Sequence, residues 1–244
     1  TAMRTLKQAI EIDPDFCIAH CFRGYLFVTF NSAAVLPAAT ESLTKAAALA
    51  GTASVREKRH VAALQHLLDG APQKACACWD AITADHPHDI LALRMHHYTC
   101  FWSGYRHQLS ALPAAVLPAW DDTVLHYGNL LGMVAFGLEE LGLYDQAERY
   151  GRDAANQNPD DLWAVHAVAH VMEMQQRAAD GIKWLDYSFD HFRDFNPFRG
   201  HIWWHKGLFF IEAGSLDAAL SLYDNAIHDT QSEFFLDVQN SVSF

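Results

Sequence analysis

Histidines and a glutamate recur at helical spacing in the C-terminal half of the sequence. His166, His170 and Glu173 follow one another at intervals of four and three residues, which places all three on one face of a helix. His201 and His205 repeat the interval of four in the next helical segment. Imidazoles bind divalent transition metals such as Zn or Fe, and a zinc ion with a vacant position lowers the pKa of its bound water toward about 7. We therefore predict a divalent transition-metal site with these four histidines as ligands and Glu173 as catalytic base or orienting group.

A second interpretation of the same side chains needs no metal. Two histidines four residues apart are common on helices and bind an ion only when a third ligand comes from elsewhere, here from His201 or His205. Without an ion, these would be hydrogen-bonded histidines in a polar groove, with Glu173 paired to a nearby base. Both interpretations require a helical scaffold that brings two segments together.

Composition limits the class of protein. The chain has 244 residues, of which 51% are hydrophobic and 19% charged, as in an ordered protein with a large core. The net charge of −12 disfavours nucleic acid as a partner, and no apolar run is long enough for a membrane span. The five cysteines include no CxxC pair, and Cys76 and Cys78 point to opposite sides of a helix, so we predict reduced core thiols in a cytoplasmic protein. The oligomeric state stays open.

Turn-forming residues divide the chain at regular intervals. Successive breaks are 34 to 39 residues apart and fall at Asn31, Gly70, Gly104, Gly142, Gln176 and Gly214. A period near 34 is that of tetratricopeptide helix–turn–helix units. Seven residues before each break, where two helices must approach closely, stand Gly24, Ala63, His97, Ala135, Ala169 and Gly207, five of which are small. The spacing predicts an all-α, right-handed α-solenoid of about six such repeats.

Prolines mark where the next unit begins. Pro87 and Pro159 follow a break by 17 residues and precede acidic residues, so we predict them at the first position of a helix. The Asp-Pro-Asp motif at 13–15 gives the same signal, so we predict that residues 1–13 form the second helix of an incomplete unit. We predict a longer connection between helices at residues 193–197. We expect one repeat domain over 1–244, incomplete at one or both ends.

The sequence resembles tetratricopeptide repeats generally, and more closely the tetratricopeptide repeat protein 38 family. The resemblance is carried by RHVAAL at 59–64, AFGLEELG at 135–142, WAVHAVAHVMEMQ at 163–175 and HIWWH at 201–205. It covers most of the chain, and the two histidine-bearing blocks are its most specific part. It implies a tetratricopeptide-like fold and little about chemistry, because that family looks like one without a settled biochemical role.

The resemblance also implies which residues face the concave surface. In such repeats the residues 13, 10, 6 and 3 before each break point into the groove. On this sequence they include Glu57, His60, Arg94, Tyr98, Phe101, Asn129, Gly132, Phe136, Glu139, Trp163, His166, His170, Glu173, His201, Trp204 and Leu208.

Several of these residues suggest roles beside the histidines. Arg94 with Tyr98 could hold a carboxylate or phosphate, although a salt bridge to a neighbouring acid fits equally well. Glu139 and His60 are further catalytic candidates, since a dry groove would shift a carboxyl pKa toward neutrality. Gly132 either leaves space for a ligand or allows close helix contact. We expect Asn129, Trp163 and Trp204 to line the ligand site.

Three functions remain open at this point. The first is a groove that binds a small molecule, with metal-dependent hydrolysis as its reaction. The second is a protein-interaction scaffold that binds a peptide, for which an acidic groove favours a basic partner. The third is small-molecule binding without catalysis, which uses the same residues.

Overall fold

The computed structural model describes residues 2–186, 198–232 and 234–244, and all regular structure in these ranges is helical. The predicted connection at 193–197 lies outside the described residues. The chain forms two compact units, which meet in sequence between Asp121 and Asp122. This arrangement is the predicted all-α repeat architecture, seen in each unit by itself.

The first unit contains seven α-helices among its described residues. They are α1 (Ala2–Ile12), α2 (Cys17–Thr29), α3 (Leu36–Leu49), α4 (Val55–Leu68), α5 (Pro72–Asp85), α6 (Ile90–Trp102) and α7 (Arg106–Val116). Tyr25 and Trp79 are completely buried and meet edge to face, with ring centroids 5.8 Å apart. The Trp79 indole N–H donates to the Tyr25 hydroxyl over 3.2 Å, so the polar ends of both rings are satisfied inside the core.

The second unit contains the other seven α-helices of the described residues. They are α8 (Tyr127–Glu139), α9 (Tyr144–Gln157), α10 (Leu162–Met174), α11 (Ala178–Trp184), α12 (Arg199–Glu212), α13 (Leu216–Leu222) and α14 (Phe235–Ser243). Val165 and Val168 of α10 and Ile202 and Phe209 of α12 belong to one hydrophobic core. This core fixes the apolar sides of α10 and α12, and their histidines occupy another side.

The predicted breaks coincide with the turns of the helix pairs. All six have a positive φ, between 49° and 76°, which is the left-handed conformation that ends a helix. After five of them, all except Asn31, the next backbone N–H reaches back five residues, as Ala71 does to His66 over 2.8 Å. These are Schellman closures, and they explain why glycine stands at four of the six positions. The helix–turn–helix period is therefore confirmed.

The predicted close-packing positions are all buried. A Cβ at Gly24 of α2 would come within 2.5 Å of Cδ2 of Leu64 on α4, so a larger residue here would force the buried Leu64 side chain to shift. His97 is the exception to the rule of small residues, and it is completely buried as well.

The predicted helix starts are wrong by three residues. Pro87 and Pro159 lie in the turns before α6 and α10, whose N-caps are Asp89 and Asp161. These carboxylates accept hydrogen bonds from the backbone N–H of Ala92 (3.0 Å) and Trp163 (3.1 Å). An aspartate cap satisfies helix N–H groups that a proline cannot, and this sets the first residue of the helix.

Candidate metal centre

Four histidines of the second unit converge from two helices. α10 carries His166 and His170, and α12 carries His201 and His205. One ring nitrogen from each lies within 4.8 Å of the other three. As predicted, each interval of four residues places two imidazole rings on one face of a helix, and the two faces bring all four rings together.

The distances between the nitrogens are those of a shared ligand shell. Nε2 of His201 is 3.1 Å from Nε2 of His166 and 3.3 Å from Nε2 of His205. Two nitrogens bound to one tetrahedral ion at about 2.0–2.1 Å would be about 3.3 Å apart. The nitrogens of His166 and His205 are thus each placed, relative to His201, close to the separation that a tetrahedral transition metal requires, and the nitrogen of His170 lies within 4.8 Å of all three.

The outer ring nitrogens of three histidines face fixed acceptors. Nδ1 of His205 lies 2.8 Å from Oε2 of Glu173, and Nδ1 of His201 lies 3.0 Å from Oδ1 of Asn240. When each Nδ1–H donates to its acceptor, the Nε2 lone pair is free to bind an ion. Carboxylates and amides in this outer position orient metal-binding histidines in known sites.

Glu139 takes a similar position beside His170. Its Oε2 is 3.5 Å from Nδ1 of His170, an ion-pair distance longer than a normal hydrogen bond, and the carboxylate is 6% exposed. The predicted catalytic residues Glu173 and Glu139 therefore both lie next to the histidines. Glu173 lies against a ring nitrogen of His205, and Glu139 against one of His170.

Burial keeps His201 and His205 neutral. It lowers the pKa of His201 to about 4, although the hydrogen bond with Asn240 acts in the opposite direction. It also lowers the pKa of His205 well below its usual range, helped by the neighbouring His170 and His201. Burial raises the pKa of Glu173, which His170 opposes and Glu212 and Glu139 reinforce. Neutral imidazole is the form that binds metal.

Aromatic rings enclose the cluster. Phe136 of α8 stacks on His166 with centroids 5.4 Å apart, and Trp163 lies 5.4 Å from the same ring. Trp204 stacks on His201 at 5.3 Å. The two predicted lining tryptophans therefore contact the imidazoles directly, while His170, with a quarter of its side chain exposed, gives access to solvent.

Two predicted ligand-binding residues on α8 contact the start of α10 instead. The Asn129 amide donates to Oδ2 of Asp161 over 2.8 Å. A Cβ at Gly132 would lie 3.2 Å from the Ala164 Cβ, which corresponds to the close-contact alternative. Both residues therefore pack α8 against α10 of the next repeat. Asn129 does so through the aspartate that caps α10, and Gly132 through its close approach to Ala164.

The remaining predicted site residues, His60, Arg94 and Tyr98, belong to the first unit. His60 is completely buried, with Nδ1 3.2 Å from the Tyr25 hydroxyl and Nε2 3.2 Å from Oδ2 of Asp89. Arg94 is exposed on α6, and the Tyr98 hydroxyl donates to the Thr29 carbonyl over 3.0 Å. His60 is therefore a hydrogen-bonding residue of the core in this structure.

Asn240 and the two aspartate caps are contributors that the sequence pattern did not indicate. Asn240 lies on α14, 39 residues after the histidine it contacts, and no spacing rule links the two. Asp89 and Asp161 each stand 15 residues before a break and each accept a hydrogen bond from the preceding repeat. Their shared position relative to the breaks could have been recognised in the sequence.

Solved structures with a similar fold include tetratricopeptide repeat proteins, and no protein-family model matches the chain. A tetratricopeptide repeat protein from Parabacteroides merdae has 15% identity and a TM-score of 0.56, with 98% of this chain and 90% of that chain covered. The pilF protein of Pseudomonas aeruginosa has 12% identity and a TM-score of 0.57, covering 91% and 96%. A TPR protein of Thermus thermophilus has 15% identity and a TM-score of 0.56, covering 78% and 98%. The chain is therefore a helical-repeat protein of tetratricopeptide-like fold.

The described ranges contain no candidate membrane-spanning segment. No helix there combines the length and the apolar character that a bilayer crossing requires.

Proposed function

We propose that the chain is a protein-interaction scaffold that binds a basic peptide, and that its second unit holds a transition-metal ion. The observation that carries the first part is the tetratricopeptide-like fold, because such repeats create extended binding surfaces from successive helices. The net charge of −12 favours a basic partner by charge complementarity. We also propose kinship with the tetratricopeptide repeat protein 38 family and a reducing, cytoplasmic location, which the free cysteines support.

The surface that we assign to the peptide lies at the end of α6 in the first unit. Trp102 is 47% exposed, and its ring is 5.3 Å from that of Phe101 and 6.1 Å from that of Tyr98. Tyr98 and Phe101 occupy the phase that the repeat directs into its groove. Partly exposed aromatic side chains that are already packed together lose little entropy on binding.

A peptide library sorted by charge tests this surface. Basic peptides should bind, and Trp102→Ala should weaken the binding at least tenfold, which corresponds to about 1.4 kcal/mol. Leu125→Ala is the matched control, since Leu125 is 78% exposed and belongs to the other unit. Equal affinity of the Trp102→Ala variant, or no preference for basic peptides, would contradict the proposal.

The four-histidine cluster supports the second part of the proposal. Four imidazole donors complete a tetrahedral shell, and three of the rings have outer partners that fix their orientation. Zinc and iron both accept imidazole ligands. An ion there would link α10 to α12, so its binding free energy would stabilise the fold of the second unit. We propose a structural metal site in place of the predicted hydrolase, because a filled shell leaves no position for substrate or water.

Metal analysis of the purified, zinc-reconstituted chain tests the site. The His201→Gln/His205→Gln variant should hold one equivalent less than the wild type. His107→Gln is the control, because His107 is exposed on α7 and should leave the metal content unchanged. Equal metal content in the wild type and the double variant would overturn the assignment.

A further inference from the structure

A second cluster of metal-binding side chains lies in the first unit, on α5 and α6. Cys76 of α5 and His96 and Cys100 of α6 are all buried, with at most 7% of any residue exposed. The Cys100 Sγ is 3.8 Å from the Cys76 Sγ and 3.6 Å from Nδ1 of His96. The three side chains thus face one another across a pair of packed helices.

We propose that Cys76, His96 and Cys100 bind a thiophilic ion, zinc, as a second metal site of this protein. Two sulfurs held at about 2.3 Å by a tetrahedral zinc ion are about 3.8 Å apart, and a sulfur and a nitrogen in the same shell are about 3.6 Å apart. The two measured separations match these values. A disulfide needs the sulfurs at about 2.05 Å, so at 3.8 Å the two cysteines are free thiols, and both are available to bind an ion.

Asp80 completes the site from the outside. It lies one turn after Cys76 on α5, and its Oδ1 is 3.3 Å from Nε2 of His96. The Cys100 Sγ lies 3.6 Å from Nδ1 and 3.7 Å from Nε2 of His96, and when Nε2–H donates to this carboxylate, Nδ1 is the nitrogen left with a lone pair for an ion. A carboxylate behind a histidine ligand is the usual outer partner in zinc sites. The Asp80 side chain is 56% exposed, so the buried ligands are connected to solvent on that side.

The pattern is a pair of four-residue intervals on adjacent helices, Cys76 with Asp80 and His96 with Cys100. Each interval places two side chains on one helix face, and the packing of α5 against α6, neighbouring helices of successive repeats, brings the faces together. Thiolates with imidazole select zinc or Cu(I) over magnesium and calcium. Binding releases the two thiol protons to solvent, and no electron transfer is involved.

Cobalt titration of the full-length chain under reducing, oxygen-free conditions distinguishes this site from the histidine cluster. A sulfur-to-cobalt charge-transfer band should appear, saturate within two equivalents because the histidine cluster also binds cobalt, and disappear when zinc is added. Cys76→Ser should abolish the band, while Cys78→Ser, two residues along the same helix, should keep it. The His201→Gln/His205→Gln variant should also keep it, because that site contains no sulfur, so the two metal proposals can fail separately.

A variant at the exposed position guards against misfolding of the core variant. Asp80→Asn leaves the buried residues intact and should weaken cobalt binding about tenfold or more, as loss of an outer partner does in known sites. No charge-transfer band in the wild type, a band that survives Cys76→Ser, or unchanged affinity in Asp80→Asn would overturn the proposal. A Cys76–Cys100 disulfide in protein that is alkylated before any reductant is added would overturn it as well.

Discussion

At the scale of single residues, spacing along a helix revealed the donors but not their partners. His166, His170, His201 and His205 could be recognised because an interval of four residues puts two side chains on one face. Asn240 could not, because its contact with His201 depends on how α14 packs against α12. The cysteines were predicted to be core thiols, and Cys76 was compared only with its neighbour on the same helix. Its actual neighbour, Cys100, comes from the next helix.

Asp89 gives a prediction about acid stability at this scale. Burial alone would raise its pKa, but hydrogen bonds from His60, Arg56 and the Ala92 N–H outweigh it and hold the pKa well below the usual range. A depressed pKa in the folded state stabilises the protein above the unfolded value of about 3.9, and this contribution is lost as the pH falls below it. Asp89→Asn should therefore destabilise the chain at pH 7, by about 1–3 kcal/mol.

Urea unfolding at pH 7, 5, 4 and 3 measures this effect. The difference in unfolding free energy between wild type and Asp89→Asn should be constant from pH 7 to 5 and should shrink toward pH 3. Asp15→Asn, at an exposed position before α2, serves as the control and should follow the wild type. A difference that grows on acidification would contradict the account of Asp89.

At the scale of elements, the ends of helices were more predictable than their beginnings. Glycine or asparagine signals the left-handed residue that ends a helix, since few other side chains tolerate it. Starts depend on which side chain caps the first turn, and Asp89 and Asp161 prevailed over the prolines beside them. Gln176 is the informative exception among the breaks, because it adopts φ 57° without being glycine or asparagine.

Gln176→Gly should therefore stabilise the second unit, by about 0.5–1 kcal/mol, because it removes the cost of the left-handed conformation from an exposed residue. Gly142→Ala is the matched opposite change. A Cβ at Gly142 meets nothing within 4 Å, so the free energy of unfolding that Gly142→Ala loses, about 1 kcal/mol, reflects the backbone conformation alone. Thermal melting should show a higher midpoint for the first variant and a lower one for the second. Shifts of the same sign would refute this explanation of the breaks.

At the scale of the whole molecule, period and composition were sufficient for the fold class. The breaks, the small residues before them and the absence of a nucleic-acid or membrane signature follow from short stretches of sequence. The division into two compact units does not, because it depends on contacts between residues far apart in sequence. The functional emphasis also changes at this scale. A groove built for catalysis was predicted, whereas the described histidines are packed together with their own outer partners.

Hydrogen exchange with zinc present should report the two metal sites in different parts of the chain. The histidine ligands lie on α10 and α12 of the second unit, and the cysteine site lies on α5 and α6 of the first. At zinc concentrations about 100 times the dissociation constant, ligand binding adds about 2.7 kcal/mol to the stability of the binding form, so local exchange should slow by roughly 100-fold. His201→Gln/His205→Gln should lose the slowing on α10 and α12 and keep it on α5 and α6, whereas Cys76→Ser/Cys100→Ser should show the reverse. Slowing that disappears from all four helices in either variant would mean that the ions do not bind at these two separate sets of ligands.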